Sequence, residues 1–233
     1  MDNFTQIPFS LRNLDLFYIR TSVFSAVRET LPQFKGNLLD IGCGRMPYKK
    51  YIIENSEVIS YLGIDLEGAL IYDANIKPDF TWDGKRLPFE TNSFDTIIST
   101  EVLEHCPEPE VFLYEVFRVL KKGGVFFFTV PFLWNLHEVP HDEFRYTPFS
   151  IKRYLTGSGF KETSIKATGG WHASFAQMMG LWVRRAPLKR KPRVLLSYLL
   201  KPIINFLIKL DKKHIVSFGE GQMITGLYGI AKK

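Results

Sequence analysis

The sequence NLLDIGCGRMPY occupies residues 37–48 and combines a short apolar strand, a glycine turn and the start of a helix. Gly42 and Gly44 can adopt backbone angles that a side chain disfavours, and they let a ligand approach the main chain closely. Asp40 ends the strand, where its carboxylate can accept hydrogen bonds from a ligand. In an open α/β sheet, the turn after the first strand is a common binding site for nucleotide-like ligands.

Two classes of ligand compete for this turn. Dinucleotide sites use the pattern G-x-G-x-x-G, in which the pyrophosphate lies at a helix N-terminus. The third glycine would fall at residue 47, which is Pro47, so a nicotinamide-dependent oxidoreductase is disfavoured. An acid just before G-x-G suits a cationic ligand that carries an amino group and no phosphate, as S-adenosylmethionine does. A glycine turn with a purely structural role is the third alternative.

Composition sets the broad class of the protein. The chain has 233 residues, of which 45% are hydrophobic and 23% charged, and this predicts one globular domain. Its two cysteines, Cys43 and Cys106, are too few for a disulfide framework and favour a reducing compartment. The start at residues 1–4 lacks a basic segment followed by an apolar run, so we expect no signal peptide and a cytoplasmic location. His105 and Cys106 are adjacent rather than spaced for chelation, so no metal site is predicted.

Charge is distributed unevenly along the chain. Residues 1–171 have a net charge of −4, whereas residues 172–233 hold 12 Lys and Arg against 2 Asp and Glu, a net +10. Such an asymmetry indicates a basic C-terminal region with an anionic partner. A membrane surface, a nucleic acid and a phosphorylated substrate are the three alternatives, and the lack of a recognisable RNA-binding module or groove-reading helix disfavours nucleic acid.

Apolar runs alternate with helical periodicities along most of the chain. They predict strands over 37–41, 58–65, 95–99, 125–130, 161–167 and 223–231, and helices over 14–31, 48–53, 110–120 and 149–155. Lys121-Lys122-Gly123-Gly124 is predicted to close the third of these helices, with cations and glycine at its C-terminus. This alternation favours a doubly wound α/β fold.

Acids and polar residues follow the predicted strands. Asp65 lies 25 residues after Asp40, about one strand–helix–strand unit, where a carboxylate can accept from both hydroxyls of a ribose. Asp83 could accept a hydrogen bond from an adenine amino group. Each of these acids could instead be a solvated residue at a strand end.

Several segments occur together in a recognisable order: LDIGCG, YLGID, WDG…LPF, NSFDTIISTEVLEH, and RVLKKGG followed by an apolar strand. Over roughly residues 36–165 the chain thereby resembles the class I S-adenosylmethionine-dependent methyltransferases of the type 11-like group. The resemblance implies a Rossmann-like, seven-stranded α/β sheet whose last strand is antiparallel. It implies S-adenosylmethionine as cofactor, held by Asp40, Gly42, Cys43 and Gly44 at the methionine part, Asp65 at the ribose, Asp83 near adenine, and Thr100 and Glu101 on the floor. The third glycine that the family often has near Met46 is absent.

The form LDIGCGxxPY, together with VPFLWNLHEVPHDEFRYT, resembles a branch associated with polysaccharide and lipid-linked saccharide biosynthesis. The predicted reaction is methyl transfer to a small-molecule acceptor, at a hydroxyl of a saccharide or lipid-linked saccharide. The alternative is a catalytically silent methyltransferase-like module that binds a membrane or a protein partner through its basic C-terminal region.

Residues 131–147 are dense in polar side chains and would project over the ligand crevice. A hydroxyl acceptor needs a base to remove its proton, and histidine suits this role near neutral pH. The candidate bases are His141, His137 and His105, with Asp142 as an orienting partner. Arg145 and Tyr146 are candidate substrate contacts, although Arg145 could equally tie the loop to an acid.

The chain divides into four predicted parts: an N-terminal helical cap (residues 1–35), a cofactor-binding core (36–171), a basic and apolar helical insert (172–221) and the final strand (222–233). Within the insert, a basic cluster over 184–193 is followed by an apolar run over 194–210. Lys201-Pro202 interrupts that run, which disfavours a single membrane span. The segment suits an interfacial helix on the inner face of an anionic membrane. A lid or a homodimer contact is the alternative.

Overall fold

A computed structural model describes residues 4–68, 76–212 and 216–233 of the chain. The strands are β1 (Lys35–Ile41), β2 (Glu57–Leu66), β3 (Phe80–Trp82), β4 (Phe94–Thr100), β5 (Leu120–Pro131), β6 (Glu162–Ala167) and β7 (Gly226–Lys232). The helices are α1 (Phe17–Thr30), α2 (Lys49–Asn55), α3 (Pro109–Val119), α4 (Pro148–Gly157), α5 (Trp171–Arg185) and α6 (Arg190–Asp211). Residues 1–3, on which part of the signal-peptide prediction rests, and residues 213–215 of the predicted insert lie outside the described residues.

The strands form one sheet with the order β3-β2-β1-β4-β5-β7-β6. The pairs from β3 through β5 are parallel, and β7 runs antiparallel to both β5 and β6. The prediction of a doubly wound, seven-stranded sheet with an antiparallel last strand is therefore confirmed. The order reverses direction between β1 and β4, and ligands bind at this switch point in open α/β sheets.

Strand β5 shows why both faces of the sheet are covered. Its apolar run places Phe126 and Phe128 in the core on one side and Phe127 in the core on the other, since successive side chains of a strand alternate between faces. All three phenyl rings are fully buried. A near-continuous apolar run is what a doubly covered, central strand requires.

The segment Lys121-Lys122-Gly123-Gly124 differs from its prediction. Helix α3 ends at Val119, and the four residues belong to β5, where the pairing with β4 shifts register between Phe94 and Thr96. Gly123 has φ +74°, a left-handed conformation that favours glycine. The glycines therefore shape an irregular strand entry rather than a helix end.

Two antiparallel helices, α5 and α6, fill most of the segment before β7. Asp211 near the end of α6 accepts hydrogen bonds from the backbone N–H groups of Gly170 and Ala173, at 3.0 Å each. Those N–H groups lie at the N-terminus of α5 and have no partner within the helix. Asp211 therefore caps α5, although it is 41 and 38 residues away in sequence from the two groups. Neither of these helices, nor any other helix among the described residues, is long and apolar enough to cross a membrane.

Gly180 allows α5 to lie directly against the chain before α1. A Cβ atom at this position would come within 2.2 Å of the carbonyl oxygen of Leu14, a backbone atom that cannot rotate away. We expect Gly180→Ala to lower the free energy of unfolding by about 1–3 kcal/mol through overpacking, measured by urea denaturation. Gly157→Ala is the matched control, because a Cβ there meets no atom within 4 Å. Equal stability of the two variants would contradict this packing.

Candidate active site

A cavity of about 200 Å³ lies at the carboxyl ends of β1 and β4. Its walls come from four parts of the chain: the segment before and within α1, the turn after β1, the turn after β4 and the segment after β5. The lining residues are Phe4, Leu16, Ile19, Arg20, Val23, Gly42, Cys43, Gly44, Arg45, Pro47, Tyr48, Thr100, Glu101, His105, Trp134, His137 and Glu138. The turn that the sequence singled out therefore lines a cavity at the switch point of the sheet.

Backbone hydrogen bonds connect the turn after β1 to β2. The N–H groups of Gly42 and Cys43 both donate to the carbonyl oxygen of Ile64, at 2.9 and 3.2 Å. Gly42 has φ +71°, and a Cβ on it would lie 2.4 Å from the Val102 side chain. Met46, where the family pattern often has a third glycine, itself takes φ +50°. The backbone at Met46 thus has the left-handed conformation that a glycine would favour, although the residue is a methionine.

Asp65 lies at the end of β2 and supports this turn. Its carboxylate accepts hydrogen bonds from the N–H groups of Gly44 and Leu66, at 2.9 Å each. Partial burial raises the pKa of Asp65, while these two hydrogen bonds act against the rise. The acid is therefore next to the glycine turn, as its spacing from Asp40 suggested, although it is not itself among the residues that line the cavity.

Asp40 takes a different position from the one predicted. Its side chain is 3% exposed and does not line the cavity, and Tyr61 donates a hydrogen bond to its carboxylate at 2.6 Å. Burial raises the pKa of Asp40 to about 7, and the nearby Asp65 adds to the rise. In this structure the Asp40 carboxylate is therefore buried against Tyr61 and is not among the residues that line the cavity.

The other predicted cofactor residues divide into two groups. Thr100, Glu101 and Cys43 line the cavity, although the thiol of Cys43 packs into the space beside Gly63. Asp83 is exposed and does not line it; its carboxylate accepts from the N–H groups of the two residues after Gly84.

Glu101 adopts a left-handed backbone conformation, with φ +56°, and its N–H group donates to Thr129 across to β5. Burial raises the pKa of the Glu101 carboxyl to about 7, with the charges of Arg20 and Arg145 opposing the rise. A non-glycine residue held in this conformation is uncommon and is often found at functional sites.

Two of the three candidate bases reach the cavity. His105 and His137 pack edge to face, with ring centroids 4.7 Å apart. Nδ1 of His105 lies 2.8 Å from the carbonyl oxygen of His141, so in the neutral imidazole Nδ1 carries the proton and Nε2 has the lone pair. The His141 side chain is exposed and does not line the cavity. Only the backbone of His141 takes part in the arrangement.

Asp142 and Arg145 form a bidentate ion pair, with N–O distances of 2.6 and 2.8 Å. The guanidinium lowers the pKa of Asp142 to about 2. Asp142 also lies 3.3 Å from Nδ1 of His137, an orienting contact of the kind the sequence suggested. Of the two roles open to Arg145, the structure shows the tie to an acid.

The structure corrects the prediction for Tyr146. Its side chain is 2% exposed and packs in the core, and its hydroxyl donates to the carbonyl oxygen of Leu103 at 3.0 Å. Tyr146 therefore anchors the segment after β5 to the turn after β4 and does not face a substrate.

The wall that α1 contributes to the cavity leaves no signal in the sequence. Arg20 stacks on Phe4, with the guanidinium carbon 3.7 Å from the ring centroid, and Trp134 faces the same cavity from the segment after β5. The helical periodicity of α1 did distinguish its apolar face. It could not show that Arg20 at the edge of that face lies over the cavity.

Comparison with known proteins agrees with this geometry. Residues 39–128 match a family model described as a methyltransferase domain. A solved S-adenosylmethionine-dependent methyltransferase from Mesorhizobium loti superposes with a TM-score of 0.56 at 16% identity, covering 91% of this chain and 98% of the other. The chain has the Rossmann-like fold of the class I methyltransferases. Phosphoethanolamine N-methyltransferase 2 of Haemonchus contortus, solved with S-adenosylhomocysteine and phosphomonomethylethanolamine, has a TM-score of 0.57 at 16% identity over 91% of this chain and 52% of that one.

Curated relatives match the methyltransferase region over part of their length. A fatty-acid O-methyltransferase of Mycolicibacterium smegmatis is 31% identical over 98 residues, which are 40% of this chain and 36% of the relative. A malonyl-[acyl-carrier protein] O-methyltransferase of Alcanivorax borkumensis is 29% identical over 125 residues, 51% of this chain and 42% of the relative. The chain thus spans well under half the length of these relatives.

The raised pKa of Asp40 predicts a pH dependence of stability in this methyltransferase fold. An unfolded Asp titrates near pH 4 (about 3.9), so between about pH 4 and pH 7 the folded state binds more protons than the unfolded state and loses stability as the pH rises. Asp40→Asn cannot titrate and keeps an acceptor for Tyr61. We expect its free energy of unfolding, relative to wild type, to increase across this window by up to about 1.4 kcal/mol per pH unit, measured by urea denaturation.

Asp83→Asn is the control for this experiment. The hydrogen bonds from Arg86 and Lys85 lower the pKa of Asp83, so its titration lies below the window. A constant difference between Asp40→Asn and wild type from pH 4.5 to 7.5 would show that Asp40 stays ionised, against the burial seen here.

Proposed function

We propose that the chain is an S-adenosylmethionine-dependent methyltransferase that acts on a small-molecule or lipid acceptor. The observation that carries the proposal is the turn after β1, which combines left-handed glycines, exposure to the cavity and a carboxylate at the end of β2. The match of residues 39–128 to the methyltransferase domain covers this turn and Asp65. A catalytically silent, methyltransferase-like module is not favoured, because Gly42 and Gly44 keep their left-handed conformations and Asp65 lies beside them.

In this proposal the cofactor lies along the turn. Gly42 and Gly44 let its methionine part approach the backbone, Asp65 accepts from the ribose hydroxyls and Asp83 is available to the adenine amino group. Thr100 and Glu101 form the floor. When bound, S-adenosylmethionine supplies an electrophilic methyl group on a sulfonium.

Methyl transfer is an in-line displacement that depends chiefly on positioning. The acceptor atom would use its lone pair to form a bond to the methyl carbon as the carbon–sulfur bond breaks, and the electron pair of the broken bond would stay on sulfur. A hydroxyl acceptor also loses a proton. His105 and His137 are the candidate proton acceptors at the cavity. His141 is left out because its side chain is exposed and does not line the cavity.

The acceptor is proposed to be a lipid or another small molecule with an apolar part. Leu16, Ile19 and Val23 make one wall of the cavity apolar, and relatives are named for fatty-acid and phthiotriol dimycocerosate substrates. The saccharide hydroxyl suggested by the sequence has no support among these relatives. It stays a prediction that an acceptor screen can test.

Cofactor binding gives the first test. We expect calorimetry with S-adenosylmethionine or S-adenosylhomocysteine to show binding to wild type and about 10- to 100-fold weaker binding to Asp65→Ala, since a hydrogen bond to a charged group contributes about 1.5–3 kcal/mol. Glu57→Ala, at the exposed opposite end of β2, should bind like wild type. No heat with wild type would refute the proposal, and binding without transfer to any acceptor would favour the silent module.

The α5–α6 hairpin supports a second part of the proposal, contact with an anionic membrane surface. Large apolar side chains along both helices are exposed, although neither helix spans a membrane: Trp171, Phe175, Met178 and Trp182 on α5, and Val194, Leu195, Tyr198, Leu199, Ile203 and Phe206 on α6. The four on α5 recur every three or four residues and form a single stripe. Groups of exposed apolar side chains of this kind often mark a surface that contacts a protein or a membrane.

The positive charge of the α5–α6 hairpin favours an anionic partner. Basic residues concentrate around the connection between the helices: Arg184, Arg185, Lys189, Arg190, Lys191 and Arg193. Apolar side chains beside Lys and Arg are typical of helices that lie in the interface of an anionic bilayer. Such a position would place the protein at a surface that holds lipid acceptors.

Vesicle binding tests the membrane contact. We expect wild type to sediment with vesicles that contain phosphatidylglycerol and far less with pure phosphatidylcholine, and the triple variant Trp171→Ser, Phe175→Ser, Trp182→Ser to lose this binding. A matched control replaces three exposed apolar residues elsewhere, Ile59, Tyr114 and Phe149, with Ser. If wild type does not bind vesicles but forms a dimer that the hairpin variant abolishes, the surface is a contact between two copies.

A further inference from the structure

Glu104 is a buried carboxylate for which the proposed reaction has no use. It lies in a short 3₁₀ turn after β4, at Leu103–His105, and its side chain is 0% exposed. Neither of its carboxylate oxygens has a hydrogen-bond partner among the described residues. Buried polar groups almost always have partners, so an exception calls for an explanation.

The nearest basic side chains do not supply that partner. Arg145 is engaged with Asp142 through two short hydrogen bonds. Nε2 of His105 lies 3.8 Å from one oxygen of Glu104, too far for a hydrogen bond. This distance between two donor atoms is instead one that a single metal ion can bridge, since metal–nitrogen and metal–oxygen bonds are about 2.0–2.2 Å.

The imidazole of His105 is already oriented for a ligand. Its Nδ1 is held by the carbonyl oxygen of His141 at 2.8 Å, which leaves the lone pair of Nε2 facing Glu104 and Glu138, at 3.8 and 3.9 Å. A second-sphere carbonyl on the other ring nitrogen is the usual arrangement around a metal-bound histidine.

His137 completes the group. One ligand atom from each of Glu104, His105 and His137 lies within 4.8 Å of the others. His137 is itself positioned by Asp142, 3.3 Å from its Nδ1. The residues come from the turns after β4 and β5, two neighbouring parallel strands, so the sheet itself brings them together.

We propose that Glu104, His105 and His137 form a binding site for a divalent transition-metal ion, with Glu138 beside it. Two imidazoles and one carboxylate suit zinc, manganese or iron. Because three protein ligands leave coordination positions open and two of them line the cavity, an oxygen or nitrogen atom of a bound ligand can take one. The proposal rests on this geometry and not on methyl transfer. With an ion bound, His105 and His137 would be its ligands and would not serve as the proton acceptors considered above. The proposal departs from the expectation from sequence that no metal is bound.

Metal binding by the full chain tests the proposal. After removal of metal with a chelator, we expect titration with Zn²⁺ or Mn²⁺ to show about one ion bound per chain and a rise in the melting temperature. Co²⁺ should give the absorption bands of a protein-bound ion. Glu104→Gln and His137→Ala should each weaken Zn²⁺ binding by about 10- to 100-fold or more.

His172→Ala is the matched control, because this histidine lies on α5 and outside the group. Its affinity for Zn²⁺ should equal that of wild type. His137 is partly exposed, so its variant stays informative even if Glu104→Gln does not fold. The proposal is overturned if wild type binds no ion, or if His137→Ala and His172→Ala bind Zn²⁺ as tightly as wild type.

Discussion

One carbonyl group, that of Ile64, accepts two hydrogen bonds from the turn after β1. This shared acceptor joins the end of β1 to the end of β2 and makes the backbone turn back over the sheet. The turn can follow that path because Gly42 presents no side chain to Val102. Val102 precedes the 3₁₀ turn that holds Glu104 and His105. The close approach of Gly42 to Val102 therefore links the glycine turn to the 3₁₀ turn that carries the buried Glu104.

Much of the fold could be predicted from the sequence because its signals are local. The apolar run of β5 and the spacing of Asp40 and Asp65 depend on periods of a few residues and on one strand–helix–strand unit. The register shift at Lys121–Gly124 could not be predicted, since it depends on how β4 pairs with β5. The two glycines there are equally compatible with a helix end and with an irregular strand.

The site was harder to predict because the positions of its side chains depend on contacts with residues that are distant in sequence. Asp40 is hydrogen-bonded to Tyr61, which is 21 residues away in sequence, and Tyr146 is held in the core by a hydrogen bond to the carbonyl oxygen of Leu103. Neither contact leaves a pattern in the sequence. The grouping of Glu104 with His137 likewise results from the pairing of β4 with β5, whereas the adjacency of His105 and Cys106 pointed away from a metal.

The place of β7 between β5 and β6 has a consequence for biosynthesis. Strand β6 ends at Ala167, and β7 starts only at Gly226, yet β7 supplies the hydrogen bonds to both neighbours. At about 5–20 residues per second, the ribosome needs about 3–12 s to add the chain between them. During that interval β5 and β6 each have an unpaired edge, and β5 is rich in phenylalanine. Unpaired edges of this kind can aggregate with other chains or bind chaperones.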